Sequence, residues 1–105
     1  MKIKLSPVRV DAKQLVAVVK NKDEITVNGV DYDFSPLNAG ETLPLSALGY
    51  GSPFASDIER DRSGELHFAL ILPHGHFAPI ETRFPAACDK PINIESGELP
   101  VPPYD

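Results

Sequence analysis

The chain has no tryptophan, a single cysteine and a single methionine. No stretch approaches the roughly 18 consecutive apolar residues that a membrane helix needs. Each shortage excludes something. Without tryptophan, and with its few aromatics on faces that pattern as core, the chain lacks the usual stacking platform for sugars or bases. One cysteine, Cys88, permits no internal disulfide, which fits a reducing compartment or a fold that needs no staple. Cys88 follows Pro85-Ala86-Ala87 and reads as a packing residue rather than a nucleophile. The opening MKIKLSPVRV lacks the apolar centre of a signal peptide, so synthesis and first folding are expected in the cytoplasm, with no membrane partner.

A cationic surplus is missing as well. Ten Lys and Arg stand against fifteen Asp and Glu, a net charge of −5 that repels phosphate backbones and argues against nucleic acid as a partner. The imbalance is uneven: residues 1–22 hold Lys2, Lys4, Arg9, Lys13, Lys20 and Lys22 against Asp11 alone, a local +5 that leaves −10 for the rest. Such a dipole can orient self-association or docking on an acidic partner, although a solvated surface is the plainer reading.

What the chain has in quantity is punctuation. Eleven prolines and seven glycines in 105 residues leave proline-free stretches at 8–35 and 54–72, too broken for a helical bundle. Asn28-Gly29 between alternating apolar flanks predicts a hairpin with a type I′ turn, pairing Val27 with Val30 and Ile25 with Tyr32. Upstream, Leu15–Val19 returns through Lys20–Asp23. A loop of two or four residues there pairs Val18 with Ile25 and completes a three-stranded meander. Its core face then comprises Val16, Val18, Ile25, Val27, Val30, Tyr32 and Phe34, with Leu15, Ala17 and Val19 opposite beside Glu24, Thr26, Asp31 and Asp33.

Asp61-Arg62-Ser63-Gly64 predicts a second hairpin, a type I turn closed by a glycine bulge. Glu59 then faces His67, Ile58 faces Phe68 and Phe54 approaches Leu72. The even-numbered face of Phe54, Ile58, Leu66, Phe68, Leu70 and Leu72 is apolar, and Arg60 shares it near the tip, where its head can reach water. Ala69 and Ile71 make the strand apolar on both sides, as in a central strand. Ser56-x-x-Glu59 has the form of a capping box, but the alternation around it favours strand.

Two apolar faces of this size pack on each other. The expected fold is all-β: a small antiparallel β-sandwich or roll. Lys2–Leu5 and Ile92–Ile94 add short strands, and Leu43–Leu48 a single helical turn. Ile80–Phe84 fits either strand or helix. Residues 1–97 form the single domain, and 98–105, with three prolines, an extended polyproline-type tail. Pro100 to Pro103 satisfies P-x-x-P, a motif so short that a plain terminus explains it better than a docking peptide.

The candidate chemistry is thin. His67, His74 and His76 are the residues that would build a metal site, which needs three or four ligands within about 2.0–2.3 Å of one point. With His67 facing Glu59, and Pro73-His74-Gly75 ending a strand, structural roles outweigh metal binding or acid–base catalysis. Glu24, Asp31 and Asp33 lie on a pleated strand pair, which spreads carboxylates too far apart for the six to eight or so oxygens of a calcium site. Asp57 and Glu59 share one side of a strand, an arrangement common on any sheet. No phosphate-cradling glycine loop or nucleophile elbow occurs. No catalytic, cofactor or metal residue is assigned, and the chain is expected not to be an enzyme.

Leu5-Ser6-Pro7-Val8-Arg9, Ile25-Thr26-Val27-Asn28-Gly29, Asp33-Phe34-Ser35, Thr42-Leu43-Pro44, Gly64-Glu65-Leu66-His67 and Leu70-Ile71-Leu72-Pro73-His74-Gly75 together resemble small uncharacterised bacteriophage and prophage proteins encoded among tail genes, near the tail tip and fibres. The resemblance covers residues 5–85, and His76 departs from the group. Its motifs are turns and strand ends, so it implies a fold and a tail context rather than a reaction. It implies a non-enzymatic structural or adaptor protein binding other phage tail proteins, or forming a homo-oligomer, made in the bacterial host cytoplasm and carried in the virion tail. The alternatives are a tail-assembly accessory absent from the mature particle, and a small metal- or ligand-binding module using the histidines.

Overall fold

The computed structural model describes residues 1–9, 15–48, 52–74 and 90–101. Its regular secondary structure is almost wholly strand. In chain order the strands are β1 (Lys2–Arg9), β2 (Ala17–Val19), β3 (Glu24–Val27), β4 (Val30–Asp33), β5 (Thr42–Leu43), β6 (Ile58–Arg60), β7 (Leu66–His74), β8 (Ile92–Asn93) and β9 (Gly97–Glu98). Among the described residues a single 3-10 turn, Leu45–Leu48, stands where the Pro-Leu-rich segment predicts one. Among the described residues the strands form two sheets, β5-β6-β7-β1-β8 and β4-β3-β2-β9. This is the expected all-β class.

Both predicted turns form. Asn28 and Gly29 have φ of 50° and 83°, the paired positive values of a type I′ turn, and β3 meets β4 with Val27 opposite Val30 and Ile25 opposite Tyr32. Gly64 takes φ 93°, its N–H bonds to the Asp61 carbonyl, and Glu59 lies opposite His67. Farther from this turn the register slips. Phe54 bridges Leu70, not Leu72, because residues 55–57 bulge out between Phe54 and β6. The Ser56 hydroxyl accepts the Ala69 N–H inside that bulge. A slip of two preserves side-chain parity, so Phe54 still reaches the core.

The meander departs from expectation in one register. Val19 pairs with Ile25, Val18 with Thr26 and Ala17 with Val27. The connecting loop has three residues, Asn21–Asp23, closed by a Lys20 N–H to Glu24 carbonyl bond. The Asn21 Oδ1 accepts the N–H groups of both Asp23 and Glu24. An odd loop shifts the pairing by one residue and exchanges the faces of β2. Leu15, Ala17 and Val19 therefore enter the core, whereas Val16 and Val18 are 53% and 38% exposed. Val30 is also exposed, at the hairpin end, and Tyr32 is half-buried.

The first sheet is centred on β7 and β1, which run parallel from Lys2 opposite His67 to Arg9 opposite His74. That orientation departs from an all-antiparallel sandwich, and it carries β1 beyond the expected end at Leu5. The chain between the two strands supplies β2, β3 and β4 of the second sheet and β5 and β6 of the first, and so serves as the long crossover that a parallel pair requires. The core lies between the sheets. Ile3, Leu5, Ile58, Leu66, Phe68, Leu70 and Leu72 meet Leu15, Ala17, Val19, Ile25, Val27 and Leu99. Phe54 stacks edge-on against Tyr32, Phe34 and Phe68, with ring centroids 4.9, 5.8 and 5.4 Å away.

The stretch read as a free tail from Glu98 starts inside the fold. β9 pairs with β2, the Leu99 N–H bonds to the Ala17 carbonyl, and the Leu99 side chain is 3% exposed. One apolar residue facing a sheet outweighs the proline content around it. Cys88, His76, Ile80–Phe84 and Pro103 lie outside the described residues, as does the His74 side chain.

Candidate functional site

Alternation along β1, β6 and β7 sends one row of polar side chains to the outer face of the larger sheet. Thr42, Glu59, His67, Lys2 and Asn93 lie in register across its five strands. Lys2, Lys4, Asp57, Glu59 and His67 border a shallow groove of about 400 Å³ on this face. His67 faces Glu59 as expected, but its Nε2 bonds to the Asp61 Oδ2 at 2.8 Å. Asp61 is the organiser of the second turn. Its Oδ1 accepts from the Ser63 hydroxyl and from the Ser63 and Glu65 N–H groups. The Ser63 hydroxyl, then His67, then the Glu65 N–H hold its carboxyl far below the usual range. An ionised carboxylate only accepts, so the imidazole Nε2 carries the proton.

The acidic strand pair also forms as read, with Glu24 opposite Asp33 and Thr26 opposite Asp31. Thr26 donates its hydroxyl to Asp31, and Lys20 supplies the countercharge to Asp31 at 3.2 Å. The Ser35 N–H donates to Asp33. These bonds lower both carboxyls and leave the face a solvated one. Among the described residues no three His, Cys, Asp or Glu side chains gather as a metal site would require.

Arg60 is the residue that sequence reasoning placed wrongly. Its head does not reach water: the residue is 7% exposed. Nη1 donates to the Gly64 carbonyl at 2.9 Å. Nη2 donates at 2.8 Å to both the Asp23 Oδ1 and the Phe34 carbonyl. Arg60 belongs to β6 in the larger sheet, whereas Asp23 and Phe34 flank the strands of the smaller one, so the guanidinium ties the two layers together at one end. A warning was present in the sequence. A lone cation within an otherwise apolar even-numbered face has to be partnered when that face is buried. The β2–β3 loop supplies the partner from 37 residues away.

The smaller sheet ends in β4, a four-residue strand that pairs on one side only among the described residues. The Phe34 N–H turns inward to the Asp23 carbonyl, so strict alternation turns the backbone groups of Asp31 and Asp33 outward. β4 is thus an open ladder edge bearing two carboxylates.

No protein-family model matches this chain. Comparison with curated proteins likewise finds no match, and neither does comparison with solved structures. Function therefore has to be argued from this geometry and from the resemblance in the turn and strand-end motifs.

Proposed function

We propose that the chain is a non-enzymatic structural or adaptor protein of a phage or prophage tail, attached to neighbouring tail proteins by strand addition at the β4 edge. The observation that carries this reading is that edge. β4 presents outward backbone donors and acceptors at Asp31 and Asp33, while the larger sheet ends in the two-residue strands β5 and β8. An incoming strand would gain ladder hydrogen bonds along β4, and a basic one would also meet complementary charge. The tail context is supported by the motif resemblance across residues 5–85.

The test is mass spectrometry of purified phage particles induced from the source strain, quantified against a major tail protein. A fixed copy number per particle is expected. Presence in the lysate with absence from particles refutes the structural role and favours the assembly accessory. Cross-links from a virion-borne chain should emerge beside β4, and cross-links confined to the outer face of β1 and β7 would refute the edge.

A further inference from the structure

We infer that the outer face of the larger sheet is a two-fold interface on which a second copy of this chain docks. Five strands build the face in the order β5-β6-β7-β1-β8, with β7 in the middle. Its charges are sorted by strand. Asp57 and Glu59 stand on the β6 side, Lys2 and Lys4 on β1, and His67 and Ala69 on β7 between them. The outermost strands add Thr42 and Asn93 to the row, both uncharged. Register aligns the two stripes: Glu59 lies opposite His67, His67 opposite Lys2, and Ala69 opposite Lys4. Lys4, Asp57 and Glu59 are exposed, and Lys2 is half-buried. Lys2, Lys4, Asp57 and Glu59 make no ion pair among the described residues, and Asp57 accepts the Leu45 N–H. Of the neighbouring charges, the Met1 ammonium and Glu65 cancel each other at 2.9 Å, and Asp61 holds His67.

The opposed stripes select the occupant. A ligand of one sign loses at one wall of the groove what it gains at the other. The surface that gains at both carries the same stripes in reverse order, and a second copy turned about an axis along β7 supplies it. That rotation lays β1 of one copy over β6 of the other. It sets Lys2 against Glu59 of the second copy and Lys4 against Asp57 of the second copy, and the symmetry repeats both contacts. An axis across the strands would instead set lysine on lysine and carboxylate on carboxylate, which is repulsive. Packed sheets lie about 10 Å apart, a gap that a lysine and a carboxylate reaching toward each other bridge. The groove of about 400 Å³ leaves room for the lysine stems. β4 belongs to the other sheet and stays open on each copy, so the pair would present two such edges. The inference is independent of the tail role.

The experiment is sedimentation equilibrium of the full chain over a roughly hundredfold range of concentration, at about 20 mM and about 500 mM sodium chloride. A dimer is expected at low salt, with its dissociation constant raised about tenfold or more at high salt. Lys2→Glu and Glu59→Lys should each weaken it about tenfold or more, because each reverses a contact that the symmetry repeats. An equimolar mixture of the two variants should restore dimers to within about threefold of the parent, since every contact between the unlike copies is then attractive. Lys22→Glu, the same charge change on the exposed β2–β3 loop, should stay within about twofold. Circular dichroism checks folding, and if Lys2→Glu does not fold, Lys4→Glu with Asp57→Lys repeats the design one row along. The inference is overturned if the parent is monomeric throughout, if the dimer ignores the reversals, or if the mixture associates no better than its components. Virion-borne protein that is monomeric refutes this interface alone. A salt-sensitive dimer missing from particles refutes the tail role alone.

Discussion

Replacing Val18 and Val19 by threonine, one at a time, tests the register that orients the whole smaller sheet. Threonine keeps the branched shape and the strand preference of valine, so neither change perturbs β propensity or leaves much of a void. What it adds is a hydroxyl. Val19 is 1% exposed and faces the inter-sheet core, where a hydroxyl finds only apolar neighbours. Burying an unsatisfied hydroxyl costs about 1–3 kcal/mol on the scale of measured protein variants, so about 2 kcal/mol is expected for Val19→Thr. Val18 is 38% exposed, and its hydroxyl would remain in water. Val18→Thr should therefore stay within about 0.5 kcal/mol of the parent. Urea unfolding followed by far-ultraviolet circular dichroism reads both. With a slope of about 1–1.5 kcal/mol/M for a domain of this size, Val19→Thr should lower the midpoint by roughly 1.5–2 M while Val18→Thr barely moves it. The reverse ranking would mean that the β2–β3 loop has an even number of residues and that the opposite face of β2 is buried.

Three further outcomes are expected. Arg60→Lys keeps the charge but loses the fork that reaches Gly64, Asp23 and Phe34, and should cost about 2 kcal/mol in the same unfolding assay; parental stability would show that the clasp contributes nothing. Leu99→Ala should cost about 2–4 kcal/mol, as for any buried leucine, and a loss under about 0.5 kcal/mol would return this segment to a free tail. The lowered carboxyl of Asp61 contributes stability that is complete above its ordinary value of 3.8 and is lost as pH falls below that value. Asp61→Asn should flatten the acid limb of a plot of unfolding midpoint against pH, and a limb as steep as the parent's would refute the assignment.

The strand–turn grammar of this chain is local, and local rules recover it. Asn28-Gly29 needs only its own positive φ values to set the β3–β4 register. The Asp61–Gly64 turn likewise pins Glu59 opposite His67, and from there the alternation of Leu66, Phe68, Leu70 and Leu72 determines one wall of the core. The all-β class, the 3-10 turn and the central place of β7 follow from the same short-range information, as does the pairing of Glu24 with Asp33.

Tertiary structure decided whatever depended on parity or on distant partners. Even and odd loops both suit Lys20–Asp23, and only packing against the larger sheet selects the odd one, because β2 is apolar on both faces. The direction of β1 relative to β7 carries no local signature, since either orientation buries the same alternate residues. Leu99 sits among prolines and acids, and its burial comes from the hydrogen bond and shelter offered by Ala17, some eighty positions earlier in the chain. Arg60 shows the physical reason most directly. Whether a cation on an apolar face reaches water or crosses to another layer depends on what that layer brings opposite it, and here Asp23 and the Phe34 carbonyl arrive only once the two sheets have closed.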